Sequence, residues 1–525
     1  MRIFVFGIGG TGARVITSLV MQLVAGARPK DENGNVIKEG LSIVPILIDP
    51  HSECDALTKV CDLLNDYRAL HTRLYPKGDA GEGFFSVKIE SLHDVDPTEI
   101  ENDSFAIKMS SVSSKTFKEY IGATSALNMT STNEKMANLL FSETELDTEM
   151  SEGFYGSPNI GCVALNSFIE SKEFRAFTKA VKKDNGDKVF LIGSIFGGTG
   201  ASGMPLFVTN IRHLLDESSN DASNAGLVQI GTLIVMPYFS IGQDNDSPIN
   251  DGDFMIKTRS ALSYYFSNLN RYINNTYYIA DWGNKSTTPF ENDPGDRDNQ
   301  KGNKAHFVEF AGAMSLFNFI SSSNYKSDNG EIKYVIDYGS RKGEAISPRF
   351  YAYGIDSDNE SISNISIKEL GSEEKSIIEL PLMKFYILKR FMMNMNDMVE
   401  KPFEKVFSPK LDLVNIANKP EIQRIFTKFE TIFAQFASHG IQAHNFTPYN
   451  AYSSDSYTDL FNGISTKSGF LGRKTKVDKD DLVKVLNKVA DTENKKNLGL
   501  NTGEQRWYHI ANIALNELIN DNYNL

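Results

Sequence analysis

The sequence is short of cysteine, of positive charge and of long apolar runs, and each shortage removes a class of protein. Its three cysteines are Cys54, Cys61 and Cys162. Their odd count and lack of metal-ligand spacing argue against a disulfide-stapled secreted fold or a zinc site, and point to a reduced, cytoplasmic location. Lys and Arg number 54 against 67 Asp and Glu, for a formal net charge of -13. Proteins that coat nucleic acid or anionic membranes neutralise phosphates with Lys and Arg, so neither partner is expected. No uninterrupted apolar run reaches about 18 residues, and no membrane span is expected. The chain opens on a strand-like stretch, without the charged start and apolar core of a signal peptide. Internal repeats and low-complexity tracts are also missing. What is left is a chain of 525 residues, 41% of them hydrophobic, long enough for two domains or more and able to bury a sizeable core.

Glycine is concentrated in two places that matter. Val189 to Ile192 is an apolar run suited to a buried strand; it passes into Gly197, Gly198, Thr199, Gly200, Ala201, Ser202 and Gly203, and then into an apolar stretch that continues as helix. Glycines in such a turn let the backbone come close to a ligand, and the amides of the helix start favour an anion such as phosphate. The other reading is plain close packing of helix on sheet. A second turn of the same kind sits at the front of the chain. The strand Arg2 to Phe6 leads into Gly7, Gly9, Gly10, Thr11 and Gly12, followed by Val15, Ile16, Leu19, Val20 and Leu23 at helical spacing. One glycine fingerprint is weak; two on strands of one sheet support each other.

These stretches resemble the tubulin/FtsZ superfamily. The later turn is similar to its GGGTG(S/T)G signature, and the earlier one to its opening glycine loop. Asp49 to Leu57 resembles the NTDxQAL stretch of FtsZ, Gly153 to Gly161 the loop that wraps the γ-phosphate, and Gly231 to Phe239 the strand and turn on the ribose side. The resemblance implies a GTP/GDP-binding protein using Mg²⁺, in which Gly9, Gly10, Thr11 and Gly12 cradle the inner phosphates. Gly197, Gly198, Thr199, Gly200, Ala201 and Ser202 hold the outer ones, joined by Gly156, Ser157, Pro158 and Asn159. By the same alignment Lys257 takes the place of a ribose- or phosphate-proximal arginine, with Arg259 beside it, although an ammonium does not replace a guanidinium fork. Asn284, Asn303 and Phe307 fall where the family contacts the base. Asp49 lies at a strand end, where ligands bind in open α/β sheets, or else caps a turn.

Read in order, strands alternate with helices, which gives an α/β fold with a parallel sheet covered on both faces. The expected organisation is a tubulin/FtsZ-like nucleotide-binding domain over residues 1–320, closed by a central helix at 303–320, and a second, α+β to mostly helical assembly domain over 321–525. The central helix is apolar nearly all round, and His306 with Glu309 on one of its faces reads as either part of the site or a buried structural pair, the second being the better reading. Residues 58–151 form an insertion relative to FtsZ, either a lid or partner surface or a decoration. Residues 285–302 form a second, loop-like insertion. Helices are further expected at 159–183, 257–269, 382–400, 421–436, 479–490 and 504–520.

The family hydrolyses GTP across a head-to-tail contact between copies of the chain, where acidic residues orient water. The FtsZ-type NxDxxD pattern is missing here; Asp328 and Glu331, with Asn324, occupy that region at a different spacing. The sequence therefore predicts a filament-forming GTPase, with a non-hydrolysing nucleotide-binding scaffold as the alternative. A dinucleotide-binding enzyme ranks lower, because the acidic residue follows the first glycine turn at more than the usual spacing of about 20 residues.

Overall fold

The strands are apolar on both faces, and they are found where two layers of helices cover a sheet. A computed structural model of the chain describes residues 1–50, 55–123, 131–150, 157–182, 185–217, 228–241, 251–279, 305–321, 372–394, 412–438, 456–468 and 476–524, apart from a few single positions, together with Phe154, Tyr449, Asn450 and short strands at 286–290, 337–338, 341–342, 349–352, 364–365 and 445–446. Seven strands make the main sheet: β1 (Arg2–Ile8), β2 (Ser42–Ile48), β3 (Lys88–Ile89), β4 (Lys188–Ser194), β5 (Gln229–Val235), β6 (Asn275–Ile279) and β7 (Arg349–Ala352). Their order is β7-β6-β5-β4-β1-β2-β3, and every pairing is parallel. Ile3 to Ile8, Ile43 to Ile48 and Val189 to Ser194 are buried throughout, as a sheet with both faces covered requires.

Pro45 shows how the edge of this sheet is built. It sits in the middle of β2, opposite Val5 of β1. Its neighbours on the same side of the strand bond outward: the Ile43 carbonyl accepts from the Glu90 amide at 3.0 Å and the Leu47 amide donates to the Phe105 carbonyl at 2.6 Å. Because β3 pairs only with Ser42 and Ile43, the proline falls where no ladder bond is demanded of its nitrogen.

Helix α1 (Gly9–Val24) is buried except at Gly10, Arg14 and Thr17, so it lies between the sheet and a further helical layer. That layer contains α2 (Asp55–Leu74) and α7 (Phe307–Ser321). The second helical set consists of α3 (Pro158–Ala164), α4 (Lys172–Ala180), α5 (Gly198–Glu217) and α6 (Asp251–Asn268). The last part of the chain adds α8 (Ser372–Met393), α9 (Pro420–Ser438), α10 (Lys479–Glu493) and α11 (Gly503–Asn522). No helix among the described residues is long and apolar enough to cross a membrane.

Several expectations change. Residues 159–183 are not one helix: a 3-10 segment, Leu165–Glu170, separates α3 from α4, and Ser171 restarts the chain by accepting a bond from the Phe174 amide. The central helix begins at Phe307, not at Asn303, and Ala305 before it donates its amide to Gln435. Helix α6 begins six residues before Lys257. The segment 58–151 is no surface decoration at its start, since Val60, Leu64, Tyr67 and Leu70 of α2 and Phe84 and Phe85 beyond it are buried in the main core. Within 285–302, Ser286–Phe290 pairs in parallel with Phe239–Ile241. The boundary at 320 does not coincide with the edge of the sheet, because β7 lies beyond it and pairs with β6.

The C-terminal helices also share the core of the first part. Phe385 of α8 packs against Phe84 and Phe85, while Arg424 of α9 forks onto Asp66 of α2. Lys384 next to it is buried, donates to the Asn512 side chain at 2.8 Å and lies over the Phe84 ring. Burial pushes its pKa down to about 8, against a weaker opposing pull from Glu82. Between about 8 and its unfolded value the unfolded chain holds this proton and the folded chain does not, so stability should rise with pH there. We expect a gain on the order of 2 kcal/mol from pH 8 towards 10, relative to Lys384→Met, in urea unfolding titrations.

Candidate functional site

Strands β1 and β4 are neighbours, with Ile8 opposite Gly193 at their carboxyl ends. From β1 the chain proceeds to β2 and β3 on one side; from β4 it proceeds to β5 and β6 on the other. Connections leaving in opposite directions open a crevice above these two strand ends, which is where open α/β sheets bind ligands. Both glycine turns are at this switch point. Gly9 has φ +72°, and a Cβ there would lie 3.3 Å from the Thr199 Cβ and 3.6 Å from the Gly200 amide nitrogen. The turns touch.

The glycines divide into two kinds. A Cβ on Gly12 would meet the Gly7 carbonyl carbon at 2.6 Å and the Ile192 oxygen at 2.9 Å, and one on Gly200 would meet the Ser194 oxygen at 2.4 Å. These positions seat α1 and α5 on the sheet. Around Gly10, by contrast, no atom of the described residues outside its own helix backbone and chain neighbours lies within 4 Å of the Cβ position. Packing among the described residues does not require glycine there, whereas close approach of a ligand to the backbone would.

The electrostatics of the crevice favour an anion. Ile8 caps α1 without a side-chain bond, and neither α1 nor α5 has an acidic residue in its first turn. The amides of Gly9, Gly10 and Thr11, and those of Gly198, Thr199 and Gly200, precede the first intrahelical acceptor of their helices. Two helix dipoles therefore present their positive ends together. Asp49 is half-buried just past the end of β2, beside β1.

No protein-family model matches the chain, and neither a curated protein nor a solved structure matches it.

The remaining expected residues are distributed as follows. Ser157 precedes α3 as its cap, and Pro158 and Asn159 open that helix, which packs on α5 through Gly161, whose Cβ position is 2.2 Å from the Ser202 Oγ. Ser202 is fully buried, and its hydroxyl donates to the Gly198 carbonyl at 2.6 Å. It braces the turn from within and does not offer a hydroxyl to a ligand. Ala201 is buried as well, and its carbonyl accepts the Tyr265 hydroxyl of α6 at 2.8 Å. Thr199 is half-buried beside Gly9, and Lys257 is half-buried on α6. Phe307 is buried at the first position of α7 and packs with the core. Gly156, Asn284, Asn303, Asp328 and Glu331 lie outside the described residues. Among the described residues, no group of three His, Cys, Asp or Glu could hold a metal.

Sequence reasoning passed over Arg14 and Tyr238. Arg14 Nε donates to Glu309 Oε1 at 2.6 Å, its Nη2 donates to the Tyr238 hydroxyl at 2.9 Å, and that hydroxyl donates to Glu309 at 2.8 Å. Burial opposes the Arg14 charge, but Tyr238 and Glu309 outweigh it and hold its pKa above the usual range. Burial likewise pushes the Tyr238 phenol up, so it stays protonated. Glu309, read as a partner of His306, accepts from the His306 backbone amide at 3.3 Å and has Arg14 as its ion-pair partner. The available signal was a lone charged residue on an otherwise buried helix.

Proposed function

We propose that this chain binds a nucleoside di- or triphosphate in the crevice between the two glycine turns, as a tubulin/FtsZ-like GTP-binding protein. The observation that carries the reading is the contact of the two turns at the switch point, with Gly10 open at its Cβ position. Amides of Gly9, Gly10 and Thr11 take the inner phosphates, those of Gly198, Thr199 and Gly200 the outer ones, and Ala201 and Ser202 support the second turn. Mg²⁺ would enter on the phosphates and neutralise their charge. Under this reading copies assemble head to tail, a heterologous contact that generates open filaments. Asp328 and Glu331 of one copy then reach the crevice of the next and orient water for hydrolysis, with Asn284 and Asn303 on the base. Residues 58–151 and the C-terminal helices are the candidate surfaces for other proteins.

One observation favours a second reading. Asp49 stands at the carboxyl end of β2 next to the first glycine turn, where dinucleotide-binding folds hold the ribose hydroxyls. The ligand content of purified protein separates the two: GDP or GTP supports the first, NAD(H) the second.

The functional test is phosphate release measured beside right-angle light scattering, with GTP or ATP and Mg²⁺. A polymerising GTPase gives scattering on GTP addition and phosphate release that rises more steeply than protein concentration. Gly10→Ala should abolish both, with binding weakened by roughly a hundredfold as its methyl displaces the phosphates. The same substitution should raise stability by about 0.5–1 kcal/mol, since alanine is the better helix former. Nucleotide binding with neither signal at any concentration would leave a nucleotide-gated scaffold in place of the hydrolase.

A further inference from the structure

The largely buried network of Arg14, Tyr238 and Glu309 reaches both glycine turns, although it belongs to neither. Arg14 is one helical turn past the first, and its Nη2 lies 3.5 Å from the Thr11 Oγ1. The Tyr238 ring packs edge-on against Phe196, the residue just before Gly197, with centroids 6.3 Å apart. The His306 ring also lies against it, with centroids 4.9 Å apart, and Glu309 in the first turn of α7 accepts from both Arg14 and Tyr238. Four chain segments meet here: the start of α1, the lead-in to α5, the exit of β5 and the start of α7.

We infer that Arg14, Tyr238 and Glu309 are positioning residues that fix the two glycine turns relative to each other, and so set the affinity for a phosphate chain without touching it; the inference rests on the nucleotide reading above. Arg14 is a cation one helical turn past the first glycine turn, but it is committed. Its guanidinium holds a carboxylate that is 1% exposed and a fully buried phenol at once, a fork geometry that a lysine cannot reproduce. A neutralised pair adds little net field to the crevice. What it supplies is rigidity, because shifting the first turn strains the charge-assisted bonds of Arg14 to Glu309 and Tyr238, and shifting the second disturbs the packing of Phe196 on the Tyr238 ring. Amides aimed at phosphate oxygens depend on that rigidity, since small displacements lengthen several bonds together.

The test compares Arg14→Lys and Tyr238→Phe with the parent by equilibrium binding of GTP, ATP, inorganic pyrophosphate and guanosine, far below the melting temperature of each protein. Tyr238→Phe keeps the ring against Phe196 and removes only the hydroxyl, so it carries the test if Arg14→Lys does not fold. The clamp predicts that both variants weaken the preferred nucleotide and pyrophosphate by roughly tenfold or more, while guanosine stays within about twofold. Loss of overall stability alone would leave all affinities of the folded protein unchanged, and that result overturns the inference. Loss in Arg14→Lys with parental affinity in Tyr238→Phe overturns it too, since Arg14 would then contact the ligand directly. If the parent binds neither nucleotide nor pyrophosphate, the nucleotide reading itself falls, and the clamp with it.

Discussion

Gly200→Ala should destabilise the protein by about 3 kcal/mol, whereas the chemically identical change at Gly10 stabilises it. Both glycines lie in the first turn of a helix that follows a sheet strand, and on helix propensity alone both changes would help. The difference is what the new methyl meets. At Gly200 it comes within 2.4 Å of the Ser194 carbonyl oxygen and 2.8 Å of the Ser194 nitrogen, and a backbone held in the sheet ladder cannot move aside. To make room, α5 must lift from β4, carrying Thr199 away from Gly9 and loosening the buried contact of Ser202 with α3. Urea unfolding midpoints of the two variants against the parent check the sign directly. Equal destabilisation of both would mean that the first turn is packed as tightly as the second, and would remove the argument that Gly10 serves a ligand.

Phe385→Ala should cost about 4 kcal/mol and leave a single unfolding transition. The ring is fully buried. It contacts Phe84 and Phe85 from the first part of the chain, at 5.9 and 6.2 Å between centroids, and Phe426 and Phe429 from α9, at 5.8 and 4.9 Å. Truncation removes edge-on aromatic contacts on both sides and leaves a cavity that backbone on three elements must close. Around this site the ion pairs of Arg73 with Glu421 and Glu504, and of Arg424 with Asp66, add orientation between α2, α9 and α11. The test is far-UV circular dichroism and tyrosine fluorescence followed through the same denaturation. Coincident curves show that the C-terminal helices and the sheet unfold as one cooperative unit. Two separated transitions would restore independent domains divided near residue 320.

The sequence by itself determined the elements whose pattern is local. Continuous apolar runs announced β1, β2, β4 and β5, because a strand buried on both faces has no polar alternation to show. The all-round apolar character of residues 307–320 placed a helix in the core, and glycines after two strands marked both turns. The alternation of strands with helices gave the parallel α/β class. The stop between α3 and α4 was missed because Ser171 acts as a cap through a bond that its residue type permits but does not impose.

Only the tertiary structure decided which distant segments meet. Arg14 and Glu309 are 295 positions apart, and Arg424 and Asp66 are 358 apart; neither pair leaves a trace in local periodicity. Gly10 and Gly200 look alike in the sequence, and they part company once Ser194 stands under one of them. Ser202, a hydroxyl in the middle of a glycine turn, becomes a buried brace because Gly161 of α3 lies against it. The start of 58–151 joins the core because α9 and α11 come back to cover α2 and α8 packs on Phe84 and Phe85. The physical reason is common to all of these. Periodicity records that a face is buried, since burial needs only apolar side chains at the right spacing; what buries it depends on strand order and helix crossing, which arise when the whole chain packs.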